Sequence, residues 1–295
     1  MKVSGFTIVR NAIKYDYPIV ESIKSILPIV DEYIVLVGDS EDNTEELIKS
    51  IGSDKIKIYH SVWDRSLRKG GRVLAIETDK AFSKVSEDAD WAFYLQADEV
   101  IHEQDLDKIY SKMEKYKDDK RVEGLLFDYV HFYGSYDYVG DAYRWYRYEV
   151  RVIRNDKRIK SYGDAKGFRW EDGRKLRVVP SGAKVYHYGW VRNPKAMMEK
   201  LRAFHSLYHD DKWVEEHVPK TEFFDYSQID SLRKFEGTHP AVMQQRIQQQ
   251  NWKFDYDLSW NSLRLKDRFK RFVEKLTGYR IGEPKNFVLI KDVDG

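Results

Sequence analysis

The segment Trp91-Ala92-Phe93-Tyr94-Leu95-Gln96-Ala97-Asp98-Glu99 runs five apolar or aromatic residues into two carboxylates. An apolar run of that length predicts a strand covered on both faces. Its C-terminal end then delivers acids to the mouth of an open α/β sheet, where such sheets bind ligands. Carboxylates in a buried place lose hydration and repel each other, and a cation beside them relieves both costs. Asp98 also reads as a plain strand-end turn residue, but its position after a wholly apolar strand favours a cation or charge site.

Further residues carry candidate chemistry. Val9-Arg10-Asn11 ends another short apolar strand and reads as a turn where backbone groups meet a base. Asp39-Ser40 follows the strand Tyr33–Val37, so Asp39 reads either as a nucleoside contact or as part of a turn, while Ser40 and Asp42 read as helix caps. Arg72, after Gly70-Gly71 at a helix start, suits a phosphate partner as well as it suits a solvated helix position. His187 lies in Val185-Tyr186-His187-Tyr188-Gly189-Trp190, and neutral imidazole there is either a metal ligand or a satisfied core residue. Glu99 reads as a sugar-hydroxyl contact or a cap. Trp145 and Trp190 can stack on a sugar, although most tryptophans serve packing. No chemistry attaches to the turn His239-Pro240.

The elements that must position these groups alternate. Phe6–Val9, Tyr33–Val37, Ile56–Tyr59 and Trp91–Leu95 read as strands. Between them Ile19, Ile23, Ile26 and Leu27, then Leu47 and Ile48, then Leu74, Ala75, Thr78 and Ala81 read as helices. Such a βαβα rhythm predicts parallel strands joined by right-handed crossovers. After about Tyr116 the rhythm changes to strands at 124–130, 149–154 and 183–188. Beyond Pro194 it turns helical, and a basic amphipathic segment spans Leu263 to Leu276.

Composition narrows the function classes. With 51 basic and 49 acidic residues the charge is nearly balanced, which argues against nucleic acid as a partner. The chain has no cysteine, so disulfides and thiolate metal sites are excluded. No run approaches the roughly 20 apolar residues of a membrane span. The expected location is the cytoplasm. The basic segment near the C-terminus reads first as a helix packed on the body with its charges in water, because Asp267 and Glu274 interrupt it. Its second reading is a peripheral contact with the inner face of the membrane.

Taken together, Gly5-Phe6-Thr7-Ile8-Val9-Arg10-Asn11-Ala12, Val37-Gly38-Asp39-Ser40-Glu41-Asp42-Asn43-Thr44, Asp90-Trp91 through Glu99, and His187-Tyr188-Gly189 resemble glycosyltransferase family 2. The resemblance covers about Lys2 to Arg192. It implies a GT-A type α/β fold, a doubly wound mixed and mostly parallel sheet with helices on both faces, over residues 1–193. A mostly helical C-terminal extension, 194–295, would follow. It implies a nucleotide-diphosphate sugar as donor and a saccharide or lipid-linked acceptor, with inversion at the transferred carbon. Val9, Arg10, Asn11, Asp39, Arg72, Gln96 and Glu99 are then the donor-binding candidates. The family's Asp-x-Asp is Gln96-Ala97-Asp98 here, so one acid is replaced by an amide. Asp98 and His187 become the ligands of a divalent cation, and a mixed oxygen and nitrogen pair leans to Mn²⁺ over Mg²⁺. The catalytic base falls on the loop 160–167, where Asp164 leads over the rivals Asp141 and Glu149.

Two other functions compete. A non-catalytic relative would keep the fold and bind a sugar, a nucleotide or a partner protein, and Gln96 is its main support. A nucleotidyltransferase would carry a glycine-rich basic loop after the first strand, which Arg10-Asn11-Ala12-Ile13-Lys14 is not.

Overall fold

Side-chain alternation along three strands sets the first half of the fold. In a computed structural model, which describes residues 1–64, 66–67, 69–259 and 261–291, β1 (Val3–Val9), β2 (Glu32–Val37) and β4 (Trp91–Tyr94) are buried at every position. Val3, Val9, Tyr33, Val35, Val37, Trp91 and Phe93 point to one hydrophobic cluster. Phe6, Ile8, Ile34, Leu36, Ala92 and Tyr94 point to another on the opposite face. A strand covered on both sides needs helices on both sides. α1 (Ile19–Ile26), α2 (Thr44–Lys49) and α4 (Leu106–Lys115) contribute to the first cluster, and α3 (Arg72–Ser83) to the second. In α1 the buried Ile19, Ile23 and Ile26 recur at the helical period that the sequence predicts.

β1 pairs in parallel with both β2 and β4, and β3 (Ile56–His60) continues the parallel run beyond β2 as a half-exposed edge. On the other side of β4 the pairing turns antiparallel. β8 (Tyr148–Arg154), β6 (Gly124–Tyr133), β7 (Ser135–Gly140) and β12 (Leu232–Lys234) follow in that spatial order. The result is the mixed α/β sheet that the sequence leads one to expect. β9 (Ile159–Tyr162) and β10 (Gly167–Trp170) form a separate hairpin.

The strand expected at 183–188 is longer. β11 runs Leu176–Trp190, parallel to β6, with a register shift between Pro180 and Lys184. Pro180 has no N–H for the ladder and Gly182 takes φ 73°, so the strand bulges there and then resumes. β11 also pairs antiparallel with β5 (Glu99–Ile101) and parallel with β13 (Phe287–Leu289).

After residue 193 come α5 (Pro194–His205), α6 (Asp211–His217), α7 (Gln244–Gln248) and α8 (Leu265–Thr277). Asn193 caps α5 by accepting from the Lys195 N–H, with Pro194 in the first turn. The same segment returns β12 and β13 to the main sheet. His239 is one of its pins: Nδ1 meets the Tyr188 hydroxyl at 2.8 Å and Nε2 meets the Tyr136 carbonyl at 3.1 Å. That structural job accounts for the His239-Pro240 turn.

Candidate active site

Antiparallel pairing of β5 with β11 brings the two metal-ligand candidates together. Glu99 stands opposite His187 in that ladder, and the Tyr188 N–H donates to the Asp98 carbonyl at 2.8 Å. Asp98 sits in the tight turn between β4 and β5, closed by the Glu99 N–H donating to the Gln96 carbonyl at 3.0 Å. Its carboxylate and the His187 ring therefore meet, with Oδ1 3.7 Å from Nε2. Gly189 permits this closeness, because a Cβ there would stand 2.6 Å from the His187 ring and 3.1 Å from Asp98 Oδ2.

Positive charge converges on the other oxygen. Lys200 of α5 donates from Nζ to Asp98 Oδ2 at 3.0 Å and to the Gly189 carbonyl at 2.9 Å. The fully buried Arg192 guanidinium is 3.7 Å from the same oxygen and donates to the Gly189 and Tyr15 carbonyls. Burial alone would raise the Asp98 pKa, but the cationic neighbours, Lys200 foremost and then Arg192, outweigh it and hold the acid well below the usual carboxylate range. Burial, assisted by Arg192, brings the Lys200 ammonium down to about 8 despite its bond to Asp98.

A second histidine sets the tautomer of the first. His131 Nε2 lies 2.7 Å from the Tyr146 carbonyl, an acceptor only, so that nitrogen carries the proton. Burial and the neighbouring His187 lower the His131 pKa well below the ordinary value, so the ring is neutral and its Nδ1 is a lone pair. His187 Nδ1, 3.0 Å away, must donate to it. Burial lowers the His187 pKa as well. A neutral His187 then presents an unprotonated Nε2 to the Asp98 carboxylate. The two lone pairs then face each other with no shared proton, which is the pair of donors a divalent cation would take from the chain here. Among the described residues no group of three or more His, Cys, Asp or Glu side chains offers a metal site from protein atoms alone.

These groups open on a cavity of about 670 Å³ at the C-terminal ends of β1 and β4. Val9, Arg10, Gln96, Asp98, Asp164 and His187 all line it. Asp164 accepts from the Tyr208 hydroxyl at 2.8 Å. The loop that carries it is tied to the acid turn by the Gln96 amide, which donates to the Ala165 carbonyl at 3.2 Å. Of its rivals, Asp141 pairs with Arg271 and lines a different hollow. Glu149 is buried, its pKa pushed up to about 7 by desolvation, and it does not border the cleft.

Four donor-binding candidates do not line this cavity. Glu99 is fully buried, clasped by Arg151 through two bonds of 2.8 Å and by the Tyr129 hydroxyl at 2.8 Å, so its oxygens are spent inside the core. Asn11 is also fully buried; its side-chain oxygen accepts from the Glu41 N–H at 2.6 Å and its own N–H donates to Ser40 Oγ at 3.0 Å, joining two loops. Asp39 stands behind Arg10, whose Nε lies 3.1 Å from Oδ1. Arg72 opens α3 with an exposed side chain and is not among the cleft-lining residues.

Several residues around Asp98 and the cleft had no sequence signal. Lys200 and Arg192 lie in a helix and a loop whose pattern says nothing of Asp98. Tyr17, Tyr146 and Trp63 supply flat lining beside Trp190, which the sequence had offered as a sugar-stacking residue, and Tyr208 buttresses Asp164.

No family model matches the chain. No curated protein matches it either. Among solved structures it is similar to S. aureus TarS 1-349 in complex with UDP, at 13% identity and a TM-score of 0.37, over 75% of this chain and 68% of that one. It is also similar to glucosyl-3-phosphoglycerate synthase from Mycobacterium tuberculosis in complex with Mn²⁺, UDP and phosphoglyceric acid, at 20% identity and a TM-score of 0.30, over 45% of this chain and 43% of that one. A third is 4-diphosphocytidyl-2C-methyl-D-erythritol synthase from Anaerococcus prevotii, at 10% identity and a TM-score of 0.33, over 52% of this chain and 70% of that one. The match to another TarS structure spans 39% of that chain.

Proposed function

We propose that this protein is a GT-A type glycosyltransferase that moves a sugar from a nucleotide-diphosphate donor to an acceptor hydroxyl with inversion. The observation that carries the reading is the approach of Asp98 Oδ1 and the unprotonated His187 Nε2 within 3.7 Å at the mouth of the parallel strands. Asp98 and His187 would hold a divalent ion, Mn²⁺ or Mg²⁺, which when bound neutralises charge on a departing diphosphate. Lys200 orients Asp98, and Arg10 adds positive charge to the cleft wall. Tyr17, Trp63, Tyr146 and Trp190 offer surfaces for a base or a sugar ring.

In this reading the acceptor oxygen attacks the anomeric carbon as the bond from that carbon to the diphosphate breaks. Asp164 takes the acceptor proton, and the nucleoside diphosphate leaves with the bonding pair. Tyr208 holds Asp164 in place. The acceptor is a saccharide or a lipid-linked hydroxyl compound.

The test is a panel of nucleotide sugars with and without Mn²⁺, read by thermal shift and by release of nucleoside diphosphate. A matching donor with Mn²⁺ raises Tm, since it binds only the folded chain, and Asp98→Asn abolishes the rise. Asp164→Asn retains the rise and loses transfer. A rise without any turnover across donors and acceptors would instead favour the non-catalytic binding module. Its structural support is Gln96, which spends its amide on the Ala165 carbonyl and brings no charge.

A further inference from the structure

α8 is docked inside out. A helix on a globular body normally turns its apolar stripe inward and its charges to water. Here the polar face holds the body. Glu274 accepts from the Tyr143 hydroxyl at 2.6 Å and from Arg147 at 3.0 Å. Arg271 pairs with Asp141, and Lys270 lies over the Tyr143 ring. Leu265, Phe269, Phe272 and Leu276, spaced four, three and four residues apart, form one stripe on the opposite side. They are 83%, 64%, 61% and 68% exposed. Tyr279, just past the helix, is 62% exposed.

The charges beside that stripe share one sign. Lys266, Arg268 and Lys275 are exposed on its flanks, and Arg264 is exposed just before it. The two acids of the helix, Asp267 and Glu274, are partly buried, and their spacing of seven puts both on the body side. The acids that interrupt the basic character in sequence therefore leave the outward face in space. That face is apolar along its midline, basic at its edges and free of carboxylates.

We infer that the outward face of α8 seats the protein on an anionic lipid bilayer. Such a helix lies in the interfacial plane, with its aromatic and aliphatic residues among the acyl chains and its lysines and arginines at the headgroups. Charge complementarity selects this occupant. A second copy packed face to face would set each basic flank against the same flank of its partner, an arrangement that like charges disfavour. The inference is independent of the chemistry in the cleft.

The full chain is tested by co-sedimentation with vesicles of phosphatidylcholine alone and with about 30% phosphatidylglycerol, at about 0.1 M salt. The protein is expected to pellet with the anionic vesicles, weakly or not at all with the neutral ones, and less as salt rises. Phe269→Ser with Phe272→Ser, and separately Lys266→Glu with Lys275→Glu, should each weaken partition at least about tenfold. All four sites are exposed, so an unchanged Tm is the control for folding. Failure of the parent chain to pellet with anionic vesicles overturns the inference, and so does equal pelleting of the variants. A concentration-dependent dimer in sedimentation velocity, lost in the double serine variant, also overturns it in favour of a second copy.

Discussion

Arg151→Met removes the clasp beneath the cleft. Arg151 and Glu99 are both fully buried, and the guanidinium reaches the carboxylate through Nε and NH2 at 2.8 Å each. It also donates to the Lys166 carbonyl at 2.8 Å, one residue beyond the Asp164-Ala165 turn. Methionine fills much of the volume but leaves Glu99 with only the Tyr129 hydroxyl and the Gln96 N–H as partners. An uncompensated buried charge costs about 3–5 kcal/mol. With an unfolding entropy of about 2.1 cal/mol/K per residue, a chain of this length loses stability at roughly 0.6 kcal/mol per kelvin near Tm. Arg151→Met should therefore lower Tm by roughly 5–8 °C. Adding Glu99→Gln removes the stranded charge, so the double variant should recover at least about 2 kcal/mol of the loss. Circular dichroism melts of the parent, both single variants and the double variant measure the cycle. A drop under about 1 °C for Arg151→Met, or a double variant as costly as the two singles summed, would refute the view that this pair is a buried structural clasp.

Asp98→Asn keeps the shape of the turn but removes the counter-charge of Lys200; it should abolish Mn²⁺-dependent nucleotide stabilisation in the thermal-shift assay, and an unchanged shift would remove Asp98 from the site. Glu149→Gln tests linkage. Burial raises the folded pKa of Glu149 from 4.5 to about 7, so its contribution to stability is full below about pH 4.5 and is lost as pH climbs through 7, a change on the order of 3 kcal/mol. The glutamine variant should flatten urea stability across that window, whereas a slope equal to the parent's would show that Glu149 is not the titrating group. Gly189→Ala puts a methyl 2.6 Å from the His187 ring, so it should weaken donor and metal binding at least about tenfold while the rest of the sheet stays folded. Parent-like binding by isothermal titration would contradict the close approach.

The succession of apolar strand runs and amphipathic helices made the first half readable. β1, β2 and β4 are short apolar runs, the intervening helices repeat at 3.6 residues, and local patterns of that kind survive folding unchanged. The place of Asp98 at the cleft mouth was legible for the same reason, because an acid at the tip of an apolar strand comes out at the end of the sheet. His187 was not assignable from its neighbours. Its place beside Asp98 depends on β11 passing beside β5, and its tautomer on His131 supplying the acceptor for its Nδ1–H, neither of which leaves a trace in the local sequence.

Glu99 shows the opposite limit. It adjoins Asp98 in the chain, but Asp98 belongs to the turn and Glu99 opens β5, so the two side chains leave in different directions. One carboxylate faces the cleft and the next is buried against Arg151, 52 positions away. Asn11 follows the same logic, bound to loop atoms about thirty positions on. The C-terminal helix is a third case: its amphipathic period was plain from Leu263 to Leu276, but which face turns outward was decided by Tyr143, Arg147 and Asp141. Periodicity is a property of neighbours along the chain and could be read before folding. The partner of each charged group, and the direction each face turns, are set by segments that meet only when the sheet closes.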